Sequence, residues 1–228
     1  MNVLELHDVE LAYAQRVVLS GVSLVVEPKE RVAVLGRNGV GKSTLLDVIV
    51  GVRAPRRGRV QVLGRTPPVR GVGFVPQDTA ASFLPWFSVR DNLTLPLRLS
   101  HAGKHERERG LAEVRERFDP AHGLELDASI HTLSTGQLQL AALLRAFIAR
   151  PKLVVCDEPF SALDAHTREH ARRTIAELCA PPDGPALVLV THDAEDVRVL
   201  AHRSFVLNSA QPQPDDSLRS LHRVGLAT

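Results

Sequence analysis

The chain has 228 residues, 44% of them apolar and 4% aromatic, with 28 Lys and Arg against 26 Asp and Glu for a formal net charge of +2. That length suits one domain with a sizeable core, or a core carrying an inserted subdomain, and a charge this close to neutral removes the usual argument for a nucleic-acid-binding module. Cys156 and Cys179 are too few for a disulfide scaffold, no run reaches the roughly 18–20 apolar residues of a membrane span, and Met1-Asn2-Val3-Leu4-Glu5 lacks a signal-like pattern, so secreted, integral-membrane and disordered classes are set aside.

Short apolar runs alternate with longer amphipathic stretches, which predicts an α/β protein. Residues 2–7 and 22–27 read as half-buried strands, the second closed by Pro28-Lys29-Glu30. Arg31–Leu35 is nearly unbroken aliphatic, as expected of a central parallel strand covered on both faces. Gly36-Arg37-Asn38-Gly39-Val40-Gly41-Lys42-Ser43-Thr44 follows at once, a full G-x-x-x-x-G-K-[ST] pattern that opens a helix predicted over Ser43–Val50. Glycines let backbone N–H groups turn inward around phosphates, and the helix N-terminus adds favourable partial charge. Lys42 supplies a point charge to β- and γ-phosphates, and the Ser43 hydroxyl suits Mg²⁺. A glycine-rich turn that merely caps a helix is the alternative, outweighed by the motif and its strand–loop–helix context.

Phe83-Leu84-Pro85-Trp86 reads either as a turn whose aromatics pack inward or as an exposed surface receiving a short helix from a partner. From about Phe87 to Ala149 the texture becomes helical. Leu111, Val114 and Phe118 have helical spacing within the charged stretch from His101. The mixed-sign run Lys104-His105-Glu106-Arg107-Glu108-Arg109 is a solvated face. A second helix over Gln137–Ala149 carries Leu138, Leu140, Leu143, Leu144, Phe147 and Ile148 and must be largely buried. Just before it, Ser134 and Gln137 form an S-x-x-Q capping box.

Leu153–Cys156 and Leu187–Val190 are again aliphatic, and they end in Asp157-Glu158 and Thr191-His192-Asp193. Three strands with polar residues at the same end match a doubly wound sheet, whose ligands bind beyond the strands' carboxyl ends. There Asp157 is suited to hold Mg²⁺ through water, and Glu158 to polarise an attacking water as general base. His166-Thr167-Arg168-Glu169-His170 spells H-x-x-E-H but has no evident third zinc ligand. His101 and His105 read as surface histidines, because Gly103 weakens a helix between them. The tail after Asn208, with Gln211-Pro212-Gln213-Pro214-Asp215-Asp216, reads as loosely ordered. The division expected is an α/β core over 1–86 and 150–208, a helical insert over 87–149 and a tail over 209–228.

Taken in order, these motifs resemble the ATP-binding cassette (ABC) ATPases over residues 2 to about 207. Leu133-Ser134-Thr135-Gly136-Gln137 is similar to that family's LSGGQ signature, Gln77 in Gly73-Phe74-Val75-Pro76-Gln77 to its Q-loop glutamine, Ser161-Ala162-Leu163-Asp164 to its D-loop, and His192 to its switch histidine. Two departures stand out: Thr135 replaces the first signature glycine, and Leu140 stands where an Arg often follows. The resemblance implies a P-loop (RecA-like) parallel-sheet core with an antiparallel β subdomain and an inserted α-helical subdomain. It implies ATP and Mg²⁺, with Mg²⁺ held by Ser43, Gln77 and Asp157, adenine stacked on Tyr13, and Ser134, Thr135, Gly136 and Gln137 facing the nucleotide of the other subunit. It further implies a homodimer or paired ATPase subunit at the cytoplasmic face of the membrane, partnered by transmembrane permease subunits and a solute-binding protein and not by nucleic acid. Leu84-Pro85-Trp86 with Val89-Arg90-Asp91-Asn92 looks like the corresponding segment of nitrate/sulfonate/taurine-type importer ATPases, which points to a small anion or organic solute as cargo. The rival reading is a soluble ABC ATPase acting on nucleic acid or ribosomes; those usually carry a long coiled-coil insert or tandem cassettes, and this sequence shows neither.

Overall fold

The computed structural model describes residues 1–14, 16–118, 123–208 and 223–224. Strands β1 (Leu4–Tyr13) and β2 (Arg16–Val26) pair antiparallel. Both are longer than the alternation of apolar residues suggests. Register shifts after Leu6, Val9 and Leu11 break the period of two, so the pattern lapses while the pairing continues. After β3 (Arg31–Leu35) and helix α1 (Lys42–Val50), β4 (Arg57–Val62) returns to pair with β1, giving a three-stranded sheet in the order β2-β1-β4.

The chain then runs through β5 (Val72–Val75), a 3₁₀ turn at Ala80–Ser82, and helices α2 (Val89–Leu93), α3 (Leu95–Leu99), α4 (Lys104–Phe118) and α5 (Thr135–Phe147). Leu111, Val114 and Phe118 are the buried face of α4, as their spacing predicts. Helix α5 starts two residues earlier than its apolar pattern because the capping box at Ser134 is formed. It packs so closely on β5 that a Cβ on Gly73 would sit 2.2 Å from the Ala146 carbonyl oxygen. The order continues with β6 (Leu153–Asp157), α6 (Ala165–Cys179), β7 (Ala186–Val190), α7 (Ala194–Leu200), β8 (Arg203–Val206) and β9 (Arg223–Val224).

The second sheet has the order β5-β6-β7-β3-β8-β9, parallel throughout except for the β8–β9 pair. The three aliphatic runs of the sequence are therefore immediate neighbours at its centre. Alternate residues feed two cores: Val154, Cys156, Leu187 and Leu189 face the helices that follow β5, whereas Val155, Val188 and Val190 pack with α1 and the three-stranded sheet. The stretch expected to be a loose tail lies outside the described residues except at Arg223–Val224, which pairs with β8. Among the described residues, no helix is long and apolar enough to cross a membrane.

Candidate functional site

Sheet register brings the polar strand ends together. Asp157 is level with Val190 of β7, and Val190 is level with Val34 of β3. The glycine loop, Asp157-Glu158 and His192 thus leave one edge of the sheet side by side. Gly39 and Gly41 have φ of 76° and 108°, and a Cβ on Gly41 would come within 2.8 Å of Val18 Cγ1. Only glycine fits the second position without strain. No side chain caps α1, so its first N–H groups are left for a ligand. Lys42 Nζ donates to the Gly36 and Arg37 carbonyl oxygens, 2.8 and 3.1 Å away. Arg37, Asn38 and Gly39 are exposed at the crest of the loop, while Val40 and Thr44 are half-buried.

Asp157 is buried, and burial pushes its carboxyl above the usual aspartate range; the hydrogen bond from Ser43 opposes this, neighbouring Glu158 reinforces it, and Lys42 offsets part of it. A buried carboxylate short of positive charge, beside a hydroxyl, is a hard-oxygen donor set that fits Mg²⁺. Gln77 is exposed two residues beyond β5, whose Val75 is level with Cys156 of β6, so its amide lies at the same end of the sheet.

Glu158 has φ of 48°, in the left-handed region, and is held there from both sides. Its N–H donates to Val190 O at 2.9 Å, and its carbonyl accepts from Gln139 Nε2 at 3.0 Å. Strained backbone of this kind persists where the surroundings over-determine it, and it concentrates at functional sites. The carboxylate meets His192 Nδ1 at 3.5 Å, although the His192 side chain is 76% exposed. Gln139 was not singled out by sequence reasoning. It is buried in α5, and its Oε1 accepts from Ala162 N at 2.8 Å. The available signal was a polar side chain on the buried face of an otherwise apolar helix.

The signature residues stand at the start of α5. Ser134 Oγ accepts from Gln137 N at 3.2 Å, and Gln137 Oε1 from Ser134 N at 2.9 Å. Thr135 is exposed, and Gly136 lies against Ala162, where a Cβ would come within 3.3 Å of the carbonyl oxygen. Asp164 caps α6, accepting from the His166 and Thr167 N–H groups at 3.0 Å each and from the Thr167 hydroxyl at 2.6 Å; these bonds hold its carboxyl down at about 2. Tyr13 is partly exposed, with the Arg53 guanidinium 4.8 Å from its ring centroid.

The structure splits the two readings of Phe83-Leu84-Pro85-Trp86 by residue, and it bears out the buried place of Leu140 and the readings of the histidine pairs. Phe83 is not part of an exposed surface: it is buried under the Arg145 guanidinium, 4.3 Å from the ring, while Arg145 donates to Ser82 O and Oγ at 2.7 and 2.6 Å. Trp86, 74% exposed, is the aromatic that faces outward, beside a groove of about 490 Å³ lined by Phe83, Pro85, Ile130, Leu133 and Leu138. Leu140 is core, which leaves no room for a surface ion pair there. In the H-x-x-E-H stretch, His170 Nε2 lies 3.0 Å from Arg117 O and Glu169 is engaged by Arg172 and Arg173, whereas His101 lies before the start of α4.

A family model described as ABC transporter matches residues 19–161. The chain belongs to the ABC transporter family. The Fe(3+) ions import ATP-binding protein FbpC of Yersinia pestis bv. Antiqua is 35% identical over 225 residues, covering 92% of this chain; the chain spans 61% of that relative's length. The aliphatic sulfonates import ATP-binding protein SsuB of Granulibacter bethesdensis is 38% identical over 205 residues, 90% of this chain and 79% of the relative. Among solved structures, the dimeric bacterial ABC transporter cassette MJ0796 superposes with a TM-score of 0.80 at 26% identity, over 90% of this chain and 94% of that one. The two sheets and intervening helices are therefore those of an ABC cassette.

Proposed function

We propose that this chain is the ATP-hydrolysing subunit of an ABC importer, which pairs with a second ATPase subunit when ATP binds and drives transport through separate permease subunits at the cytoplasmic face of the membrane. The observation that carries this reading is the convergence of Lys42, Ser43, Asp157, Glu158 and His192 at one edge of the central sheet. Lys42 exchanges its two loop carbonyls for the phosphates of ATP, and the adenine stacks on the face of Tyr13 away from Arg53. A Mg²⁺ held by Ser43, Asp157 and Gln77 supplies charge neutralisation at the phosphate oxygens. Glu158 accepts a proton from water as the water oxygen bonds to the γ-phosphorus, and the bond to the β–γ bridging oxygen breaks, leaving ADP and phosphate. His192 orients that carboxylate.

The exposed N-terminus of α5, with Ser134, Thr135 and Gly136, serves the nucleotide of the opposite subunit, with the Asp164 loop alongside. Residues 87–149 act as the helical unit that carries it, and Trp86 with its groove receives the permease. The permease and a solute-binding protein complete the importer. The likeness to SsuB and the segment around Trp86 favour a small organic anion as cargo.

Glu158→Gln tests both chemistry and pairing. It keeps side-chain size and hydrogen-bonding capacity but cannot take a proton, so ATP binds while turnover falls by about 10²-fold or more. Light scattering is expected to give a dimer mass with ATP and Mg²⁺ and a monomer mass with ADP. Undiminished turnover would overturn the role of Glu158, and equal masses in the two nucleotides would overturn ATP-driven pairing.

A further inference from the structure

His192 is the least anchored member of the site. Its ring is 76% exposed, so packing does not hold it, and its 3.5 Å approach to Glu158 depends on the backbone from Thr191 to Asp193. That backbone is fixed from below by a buried polar cluster that the chemistry proposed above leaves unused. Arg172 on α6 is 4% exposed and Asp196 on α7 is 3% exposed. Arg172 Nε and Nη2 donate to Asp196 Oδ1 at 2.9 and 2.7 Å. The Thr191 hydroxyl donates to Asp196 Oδ2 at 2.7 Å, and its oxygen accepts from Asp193 N at 3.1 Å. The residue before His192 and the residue after it are therefore tied to one carboxylate. Asp193 also caps α7, accepting from Glu195 N at 2.8 Å, and its carboxylate lies 3.5 Å from Arg168 Nη1.

We propose that Arg172, Asp196 and Thr191 form a buried clamp that positions His192 against Glu158, so that all three are positioning residues for ATP hydrolysis. The inference rests on the reading of His192 given above. Its physical basis is that buried charged groups are costly unless fully paired, and a fully satisfied network holds its backbone in one arrangement. Displacing a group by about 1 Å can cost on the order of 10²-fold in rate. The clamp touches no phosphate-binding residue, so its loss should appear in kcat and not in KM.

The test uses Thr191→Val, which removes only the hydroxyl, and the paired change Arg172→Met with Asp196→Leu, which removes both buried charges at once and so leaves none unpaired. Steady-state ATP hydrolysis and melting temperature are measured for each, alone and combined with His192→Ala. We expect kcat to fall roughly ten- to a hundredfold with KM for ATP close to wild type, and the melting temperature to fall for Thr191→Val, which takes a hydrogen bond from the buried Asp196 carboxylate, and to fall less for the paired change. In the His192→Ala background the same changes should cost nothing further, because they act through that side chain. Wild-type kcat in both clamp variants, or losses that multiply with that of His192→Ala, would overturn the clamp. Wild-type turnover in His192→Ala alone would instead overturn the switch reading, and the clamp with it.

Discussion

Lys42 is a cation poised on carbonyls. With Gly36 O and Arg37 O as its partners, the ammonium holds the loop closed on itself until a better set of anions arrives. Charge-assisted hydrogen bonds contribute about 1.5–3 kcal/mol each, so Lys42→Ala is expected to weaken ATP binding by at least about tenfold, measured by calorimetry. Near-normal affinity would contradict the assignment of the loop. Glu158 shows the opposite economy: its backbone sits at φ 48°, a conformation that costs on the order of 1–3 kcal/mol outside glycine, and is kept by Val190 and Gln139. The left-handed turn comes at the first residue beyond β6, where the carboxylate meets His192 Nδ1 at 3.5 Å.

Helix α5 is a largely apolar rod capped by Ser134 and tied to two other parts of the chain by Gln139 and Arg145. Ser134 closes its first turn, Gln139 binds the backbone of Glu158 and of Ala162, and Arg145 holds Ser82. Arg145 has no carboxylate within reach of an ion pair among the described residues, and burial draws its pKa down to about 10. Its charge is stabilised by the Ser82 carbonyl, the Ser82 hydroxyl and the Phe83 ring. Arg145→Ala takes the donor from the half-buried Ser82 carbonyl and opens space beside the buried Phe83 ring, so we expect a loss of about 1–3 kcal/mol in denaturant unfolding. ATP affinity should be unchanged in this variant, since Arg145 contacts neither the glycine loop nor Asp157. A change in affinity larger than the change in stability would mean that α5 couples to the phosphate loop more directly than these contacts indicate.

Across the whole molecule, the parallel sheet separates the proposed ATP site from the proposed permease surface. Its polar strand ends gather the groups proposed to act on ATP, while the connection from β5 into α2 carries Trp86 outward. Truncating a buried aromatic costs about 3–5 kcal/mol; at 74% exposure, Trp86→Ala should change the melting temperature little. As the sole tryptophan, Trp86 should report strong iodide quenching in the isolated chain and weaker quenching once a permease covers it. The variant is expected to lose that association. A blue-shifted, unquenched emission in the free protein would show that the residue is core, and the docking surface would have to be placed elsewhere.

Local chemistry made much of this protein legible in one dimension. The glycine loop and its lysine, the strand ending in Asp157-Glu158, the capping box at Ser134, and the aliphatic runs that became β3, β6 and β7 all depend on neighbours within a few residues, where spacing and side-chain type suffice. The long hairpin of β1 and β2 was read short because bulges disrupt the alternation that marks a strand. Sequence leaves the inward and the exposed reading of Phe83 both open because the side chain that covers it, Arg145, is far away in sequence. The same limit hid Gln139 and the Arg172–Asp196 pair: a buried polar group has meaning only through its partners, and those come from other elements. Sequence alone determined which groups could handle phosphate, metal and water. Only the tertiary structure decided that β6, β7 and β3 lie side by side and that His192 stands over Glu158, because sheet order and register are set by long-range packing that no local pattern encodes.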